Sequence, residues 1–473
     1  MHDWCFPVLV MTSKVRGCFV PGRDMDAKVQ PSIGPARNIT KTISAFTATS
    51  IAVADMVGIG VFTSLGFQVR DIESGFALLM LWVVGGVVAL SGALCYAELA
   101  AMFPRSGGEY NFLARAYHPA VGFMAGWLSA TVGFAAPIAL AAMAFGAYLN
   151  GVLPGTPAPT LVALVITWLV AAVHLSGIRQ SSAFQNASTV FKVVLILGFI
   201  VAIFALAEPQ PISFAPELAD LGRMTSAPFA ISLVFVMYSY SGWNASTYIV
   251  DEMTAPQRDV PRSLITATLI VLLLYVGLNA AFLYSTPVAK MAGEVEVALV
   301  VGKHVFGETG GRIVGALICI GLVSAISAMM WIGPRVTRVM GEDLPALSIF
   351  SRTTSNGVPA VAILLQAAIV TALVLTQSFE GILEFIQFAL TLSSFLAVVA
   401  VIVLRRTRPD LKRPYRAWGY PVTPYIFLAV TAFMMGYLLV ERPIQSLAGL
   451  ALLTTGLLVF RFGAGRAASQ TAN

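Results

Sequence analysis

Twelve charge-poor apolar segments alternate with short polar connections along this chain. We number them 1 to 12, and they span residues 43–66, 75–101, 120–150, 160–177, 187–207, 228–250, 263–286, 310–333, 358–376, 383–404, 420–440 and 444–461. A helix needs about 20 apolar residues to cross the hydrocarbon core of a bilayer. Because the segments are of about that length, the pattern predicts an all-α membrane protein of about twelve transmembrane helices.

The composition supports a single membrane domain with little aqueous structure. The chain has 473 residues, of which 58% are hydrophobic and only 11% charged, whereas soluble domains carry about 25% charged residues. We predict a transmembrane domain over 43–463, a disordered cytoplasmic tail over 1–42 and a short cytoplasmic tail over 464–473. The four cysteines are scattered, so we expect free thiols, no disulfide framework, no metal and no cofactor.

Lysine and arginine are distributed unevenly between the connections. With the amino terminus placed in the cytoplasm, 22 of the 29 basic residues fall on the cytoplasmic side, six fall outside, and Lys192 lies inside segment 5. Cytoplasmic loops carry this kind of excess. We therefore expect a multi-pass protein of the cell (inner or plasma) membrane with both termini cytoplasmic. Lipid contact explains the net charge of +6, so nucleic acid is not expected as a partner.

Two segments contain sequence that disfavours continuous helix at mid-depth. Segment 1 contains Met56-Val57-Gly58-Ile59-Gly60-Val61-Phe62, and segment 6 contains Tyr238-Ser239-Tyr240-Ser241-Gly242-Trp243-Asn244. These breaks occupy corresponding places in two five-helix units, 43–207 and 228–405, and a unit with an odd number of helices must return inverted. We predict a five-plus-five inverted repeat of the LeuT-like kind, with broken first and sixth helices, followed by two further helices over 420–461.

Unwound backbone inside a membrane must find polar partners, and a zwitterionic amino acid supplies both kinds. Its carboxylate would accept from amides at the start of a half-helix, and its ammonium would donate to the carbonyls left free at the other break. The predicted substrate-binding residues are Met56, Val57, Gly58, Ile59, Gly60, Val61, Tyr238, Ser239, Tyr240, Ser241 and Asn244. The alternative is that the glycines serve only close helix packing.

Several short motifs, in register with the segments, match one known family. They include Val57-Gly58-Ile59-Gly60-Val61-Phe62, Tyr96-Ala97-Glu98-Leu99, Gly333-Pro334-Arg335 and Arg413-Pro414-Tyr415-Arg416, together with the stretches 103–110 and 240–244. From about residue 43 to 440 the chain resembles the amino acid–polyamine–organocation (APC) superfamily, in its L-amino-acid-transporter-like branch. The resemblance implies proton-coupled or exchange transport of amino acids by alternating access. Two departures are Asp55, where a small or aliphatic residue is usual, and Tyr238, where Phe or Trp is common.

Lys192 is a cation within an apolar segment, and such residues are costly and usually functional. In several sodium-independent members of the family, a lysine at this place reaches the position that sodium occupies in other members. The resemblance implies that Lys192 replaces sodium, donating to carbonyls of segment 1 and to Ser324 or Ser327, and carries a coupling proton. The alternative is that Lys192 extends toward the cytoplasmic face.

Four further charged residues each have two or more alternative assignments. Asp55, one turn before the first break, either pairs with Lys192, carries a proton, lines the inner vestibule or faces water at a helix end. Glu98, Glu252 and Arg335 lie at cytoplasmic segment ends, where they either form a network that closes the inner gate or are ordinary interfacial charges.

The predicted function is sodium-independent transport of neutral L-amino acids, by proton symport or exchange. Asn244 stands where arginine-selective relatives place an acid, and segment 3 is small and apolar around Pro137, which favours neutral substrates. The alternatives are a permease for a cationic amino acid or polyamine, and a sensor that binds an amino acid without net flux. No motif of a hydrolase or nucleotide-driven pump occurs, so an enzyme is not expected. The expected partners are the substrate, a proton or counter-substrate and lipid, with the protein a monomer or homodimer.

Overall fold

The computed structural model describes residues 43–176, 182–354, 358–376 and 378–470. The predicted amino-terminal tail lies outside these residues. The described chain is helical and has no named β-strand, and its helices are α1 (Ala45–Met56), α2 (Gly60–Gln68), α3 (Gly75–Met102), α4 (Glu109–Ala116), α5 (Pro119–Leu128), α6 (Ala135–Val152), α7 (Pro159–Leu175), α8 (Ser182–Leu206), α9 (Leu218–Met224), α10 (Ala227–Tyr240), α11 (Pro256–Ser285), α12 (Val288–Met291), α13 (Val297–Asp343), α14 (Ala360–Leu375), α15 (Phe379–Thr407), α16 (Val422–Glu441) and α17 (Pro443–Gln470). The all-α prediction is confirmed.

Nine spans in the described part of the chain are long and apolar enough to cross a membrane, counting α1 and α2 as one and α5 to α6 as another. The pair α9 and α10, bent by 66°, adds a tenth, and α7 and α14 are shorter apolar helices. Exposed positions on the outer helices are apolar, such as Leu169 on α7, Val201 on α8 and Leu447 on α17. Apolar exposure on helices of this length is what lipid-facing surfaces require.

Local sequence accounts for several of the helix boundaries. The hydroxyls of Ser44 and Ser74 accept hydrogen bonds from backbone amides in the first turns of α1 and α3, as helix-capping residues do. Proline occupies the first positions of α5, α7 and α11, where its missing N–H costs nothing. The chain therefore begins these helices where its caps and prolines are placed.

Some predicted boundaries differ from the structure. Segment 8 was expected over 310–333, but α13 runs from Val297 to Asp343, with a left-handed residue at Gly307 (φ 72°) dividing it. Segment 12 was expected to end at 461, but α17 continues to Gln470, into the predicted tail. Segment 3 contains an unexpected π-helical turn over Ser129–Gly133. The apolar pattern located these helices but not their ends, because polar residues also continue a helix.

The buried carboxylate of Glu98 holds the loop that follows α15, the helix of predicted segment 10. Glu98, at the end of α3, is 1% exposed. It accepts hydrogen bonds from Arg405 Nε at 2.9 Å and from the backbone amide of Ala417 at 2.8 Å, and Arg413 Nε lies 3.5 Å away. Glu98 thus joins α3 to the end of α15 and to the chain before α16.

Replacing Glu98 by Gln should destabilise the fold, because two arginines lose their buried counter-charge. Removing one partner of a buried pair costs about 3 to 5 kcal/mol. Thermal unfolding of the purified protein in detergent measures the effect, and Asp410→Asn, an exposed acid in the same loop, is the matched control. A loss in E98Q no larger than in D410N would contradict this role.

Candidate functional site

The first membrane span is interrupted where the glycine-rich motif predicts it. α1 ends at Met56 and α2 begins at Gly60, so the break covers Val57, Gly58 and Ile59 and is shorter than the predicted 56–62. The Phe62 amide bonds to the Ile59 carbonyl and the Gly58 amide to the Met56 carbonyl. Among the described residues, the amides of Ile59, Gly60 and Val61 have no hydrogen-bond acceptor.

The second break lies within the predicted stretch 238–244 but begins later, at Ser241. α10 remains helical through Tyr238, Ser239 and Tyr240, so these residues are not unwound, in contrast to the expectation. The helix ends at Ser241, and Gly242 adopts φ 98°, a conformation that side chains other than glycine rarely adopt. The chain then continues through Asn244 into a short 3₁₀ turn, Ala245–Tyr248.

The two interrupted spans contact each other closely. A Cβ built on Gly60 would lie 2.6 Å from Ser239 Cα, and one on Gly242 would lie 2.7 Å from Asp55 Oδ2. The Tyr275 hydroxyl of α11 lies 2.5 Å from the Met56 carbonyl oxygen and 3.1 Å from that of Ser239, so its single proton is shared between the two broken helices. Glycine at positions 60 and 242 is therefore required by the approach of one broken helix to the other.

A cavity of about 900 Å³, including the part open to solvent, lies beside the second break. Its walls include Ser241, Gly242, Trp243 and Asn244 from the break, and Asp55 from the end of α1. The remaining walls come from α4, the π-turn and start of α6, α13, α15 and α16: Glu109, Ser129, Gly133, Phe134, Pro137, Met329, Gln387, Leu390, Thr391, Ser393, Ser394, Phe427 and Thr431, with Met237 and Tyr248.

The predicted binding residues do not all line the same cavity. Ser241 and Asn244 line this cavity, whereas Val57 and Gly58 line a smaller one beside Lys192. Met56, Ile59, Gly60, Val61, Tyr238, Ser239 and Tyr240 line neither of these two cavities. The Tyr240 hydroxyl donates to the Trp82 carbonyl instead, at 3.0 Å.

Lys192 reaches the first break, as the resemblance implied. Its ammonium donates to the carbonyls of Ala54 at 3.4 Å and Val57 at 3.2 Å, and the residue is 3% exposed. It also lies near α13, since a Cβ on Gly321 would be 3.9 Å from its Cε. The two serines predicted as partners contact other helices: Ser324 Oγ lies 2.6 Å from Ser188 Oγ, and Ser327 Oγ lies 3.1 Å from His174 Nε2.

Two of the three predicted gate charges meet. Arg335 Nε donates to Glu252 at 2.8 Å, and its guanidinium stacks 4.5 Å from the Trp331 ring centroid. Backbone bonds between Ile43 and both Glu252 and Thr254 attach this pair to the start of α1. Glu98 is not part of the cluster, because it binds Arg405 and Arg413 as described above.

A second ion pair near this end was not predicted. Arg105 donates to Asp343 at 2.8 Å, and the Tyr110 hydroxyl donates to the same carboxylate at 2.6 Å. Burial, the Asp343 charge and this hydrogen bond raise the pKa of the Tyr110 phenol. The pair links the loop after α3 to the end of α13, which the sequence places 238 residues apart.

Glu109 is a further cavity residue that the sequence analysis missed. It is 5% exposed and accepts hydrogen bonds from Tyr96 at 2.8 Å, Asn244 at 2.7 Å and Tyr248 at 2.5 Å. Glu109 belongs to the stretch 103–110 that carries part of the family resemblance. Nothing in that stretch indicated that its side chain would contact the second break.

Comparison with known proteins decides the family. A family model described as amino acid permease matches residues 43–460. The chain belongs to the amino acid permease family of the APC superfamily. This permease is 26% identical to the human (Homo sapiens) b(0,+)-type amino acid transporter 1, over 89% of this chain and 87% of that protein. It is 25% identical to the mouse (Mus musculus) large neutral amino acids transporter small subunit 2, over 94% of this chain and 85% of that protein.

The two glycines of the first break should respond differently to a methyl group. In Gly60→Ala the added Cβ meets the Ser239 backbone, whereas in Gly58→Ala the nearest atoms are 3.9 Å away. Overpacking of this kind costs about 1 to 3 kcal/mol. We expect thermal unfolding in detergent to show a clear loss for G60A and a much smaller one for G58A; equal losses would argue against the observed contact.

Proposed function

We propose that this permease is a sodium-independent secondary active transporter of amino acids that works by alternating access. The observation that carries the proposal is the meeting of two interrupted membrane spans at the wall of an internal cavity. Broken helices of this kind form substrate sites in transporters, because their exposed backbone groups bind charged ligands. The family membership and the transporter relatives support the same function.

The proposed architecture has twelve transmembrane helices with both termini cytoplasmic. The nine long spans, the bent pair α9–α10 and the two shorter apolar helices together give that number. The interrupted spans would be the first and sixth helices of a five-plus-five inverted repeat, 43–207 and 228–405, followed by α16 and α17. The expected setting is the inner or plasma membrane, with the protein a monomer or homodimer.

We assign the substrate carboxylate to the amides of Ile59, Gly60 and Val61 at the start of α2. These three donors lack acceptors among the described residues, and the amino end of a helix favours a negative charge. In the present conformation α2 packs against Ser239, so the assignment requires α2 and α10 to separate when substrate enters. Alternating access supplies such a movement.

The substrate class has two candidates. Asn244 and the small apolar surface near Pro137 favour neutral L-amino acids, as the sequence predicts. Two carboxylates on the cavity wall, Asp55 and Glu109, favour a cationic amino acid or polyamine. Asn244 donates a hydrogen bond to Glu109. The residue that favours neutral substrates in the sequence analysis therefore lies beside an acid.

A thermal-shift screen of the twenty amino acids on the purified protein tests the substrate. A ligand present at a hundred times its dissociation constant stabilises the fold by about 2.7 kcal/mol, so at least one amino acid should raise the unfolding temperature. Uptake of that amino acid into proteoliposomes then separates a transporter from a sensor, which would bind without net flux. Absence of stabilisation by all twenty would overturn the proposed substrate.

Lys192 is proposed to replace sodium and to carry the coupling proton. Lys192→Met keeps much of the apolar stem but leaves the Ala54 and Val57 carbonyls without a donor. We expect uptake to fall at least about tenfold, the effect of losing one charged hydrogen bond, and its pH dependence to flatten. Lys412→Met, at an exposed lysine, is the control. Full uptake with an unchanged pH profile in K192M would show that the lysine has no coupling role.

A further inference from the structure

Asp55 is a buried carboxylate without a hydrogen-bond partner in the described part of the chain. The residue is 7% exposed, and its Oδ1 is fully buried with no donor nearby. It lines the large cavity beside Gly242. An unpaired buried carboxylate is costly, so the site is incomplete until a hydrogen-bond donor, preferably a cation, reaches Asp55.

Two of the backbone carbonyls near the breaks have no capacity left for a ligand. The Met56 carbonyl accepts from the Gly58 amide at 2.7 Å and the Tyr275 hydroxyl at 2.5 Å. The Tyr238 carbonyl accepts from both the amide and the hydroxyl of Ser241, at 2.9 and 2.6 Å. Since a carbonyl oxygen has two lone pairs, these two oxygens are fully used. The Asp55 side chain, in contrast, is an acceptor beside the second break that remains open.

Lys192 is not the missing partner in this conformation. Its ammonium donates to the carbonyls of Ala54 and Val57, and no hydrogen bond or ion pair joins it to Asp55 in the described chain. Lys192 lines the smaller cavity and Asp55 the larger one. The two charges interact through space, but they face different cavities.

The rest of the cavity is also rich in acceptors. Within the described residues, Gln387 Oε1 is a second buried oxygen without a donor, and Glu109 binds three uncharged donors but no cation. The cavity walls contain no lysine, arginine or histidine among the described residues. Negative charge and unused acceptors together match an ammonium group, which has three donors and no acceptor.

We propose that Asp55 binds the ammonium group of the substrate, and that the site therefore selects primary amines with or without an α-carboxylate. This inference rests on the proposed transport function and refines its substrate class. The carboxylate of an amino acid would still use the amides of α2. The ammonium contact with Asp55 is the one that every ligand of this site must make.

Matched ligands test the proposal by isothermal titration calorimetry on the purified full-length protein. The ligands are leucine and lysine, their decarboxylated amines 3-methylbutylamine and cadaverine, and 2-hydroxy-4-methylpentanoate, which keeps the carboxylate of leucine but has no amine. We expect at least one amino acid and its amine both to bind, and the hydroxy acid not to bind. Asp55→Asn should weaken both ligands by about ten- to a hundredfold, the range for a lost charged hydrogen bond.

Two further variants keep the result interpretable. Asp71→Asn, at an exposed acid in the turn after α2, should bind as the wild type does. Thermal unfolding of Asp55→Asn without ligand shows whether the variant folds, since it removes both a buried carboxylate without a hydrogen-bond partner and the negative charge that interacts with Lys192. If it does not fold, Asp55→Ser replaces it with the kind of small residue usual in the family.

The outcomes distinguish the two proposals. Amino acids that bind D55N as tightly as wild type would overturn the role of Asp55 while leaving the transport function intact. Amines that bind in an Asp55-dependent manner, with no amino acid binding, would overturn the amino acid substrate but support the ammonium site. If none of the amino acids or amines bind to the wild type, both proposals fail.

Discussion

Backbone polar groups that leave a helix inside a membrane must be satisfied by the protein, because hydrocarbon offers no partner. In this permease the carbonyls around the two breaks are satisfied by nearby backbone and by two neighbouring helices, with Lys192 of α8 donating to Ala54 and Val57. The Tyr275 hydroxyl of α11 shares its proton between Met56 and Ser239, one carbonyl from each interrupted span. The same hydroxyl thus fixes both breaks at once, and the glycine at position 60 allows α2 to approach α10 closely enough for this to happen. The placement of cavity, charges and gate follows from that junction.

The charged groups near the two breaks lie on different sides of the end of α1. Ala54 and Val57 present their carbonyls to Lys192 on α8, while the Asp55 side chain faces Gly242 and the large cavity. Ile43, just before α1, forms backbone hydrogen bonds with residues 252 and 254, which follow the second break. The Glu252 side chain in turn accepts a hydrogen bond from Arg335 of α13. A movement of α1 would therefore act on the lysine, the cavity and this ion pair together, since all three are attached to it.

Much of the fold could be predicted from the sequence, because the positions of apolar runs and glycines depend on local chemistry. The first break lies at Val57–Ile59, within the predicted motif, and Lys192 meets the expected helix. The second break begins at Ser241, inside the predicted stretch 238–244 but after its first three residues, since Tyr238-Ser239-Tyr240 has no residue that must leave a helix and Gly242 has positive φ. The partner of Glu98 is 307 residues away, and the orientation of Asp55 depends on how α1 is rotated against α8. Such contacts depend on packing, which residue types alone do not determine.

Asp55 and Lys192 bear opposite charges on the two sides of one helix end, and this has a consequence for coupling. A cation bound at Asp55 neutralises the negative charge that helps to stabilise the ammonium of Lys192. The two binding events, substrate at Asp55 and proton at Lys192, therefore oppose each other, and thermodynamic linkage makes the opposition reciprocal. With the proposed roles, this geometry favours exchange of an amine-bearing substrate for a proton or for a second amine over the entry of both together. With these proposed roles, the direction of coupling would follow from the placement of two side chains on the two sides of one helix end.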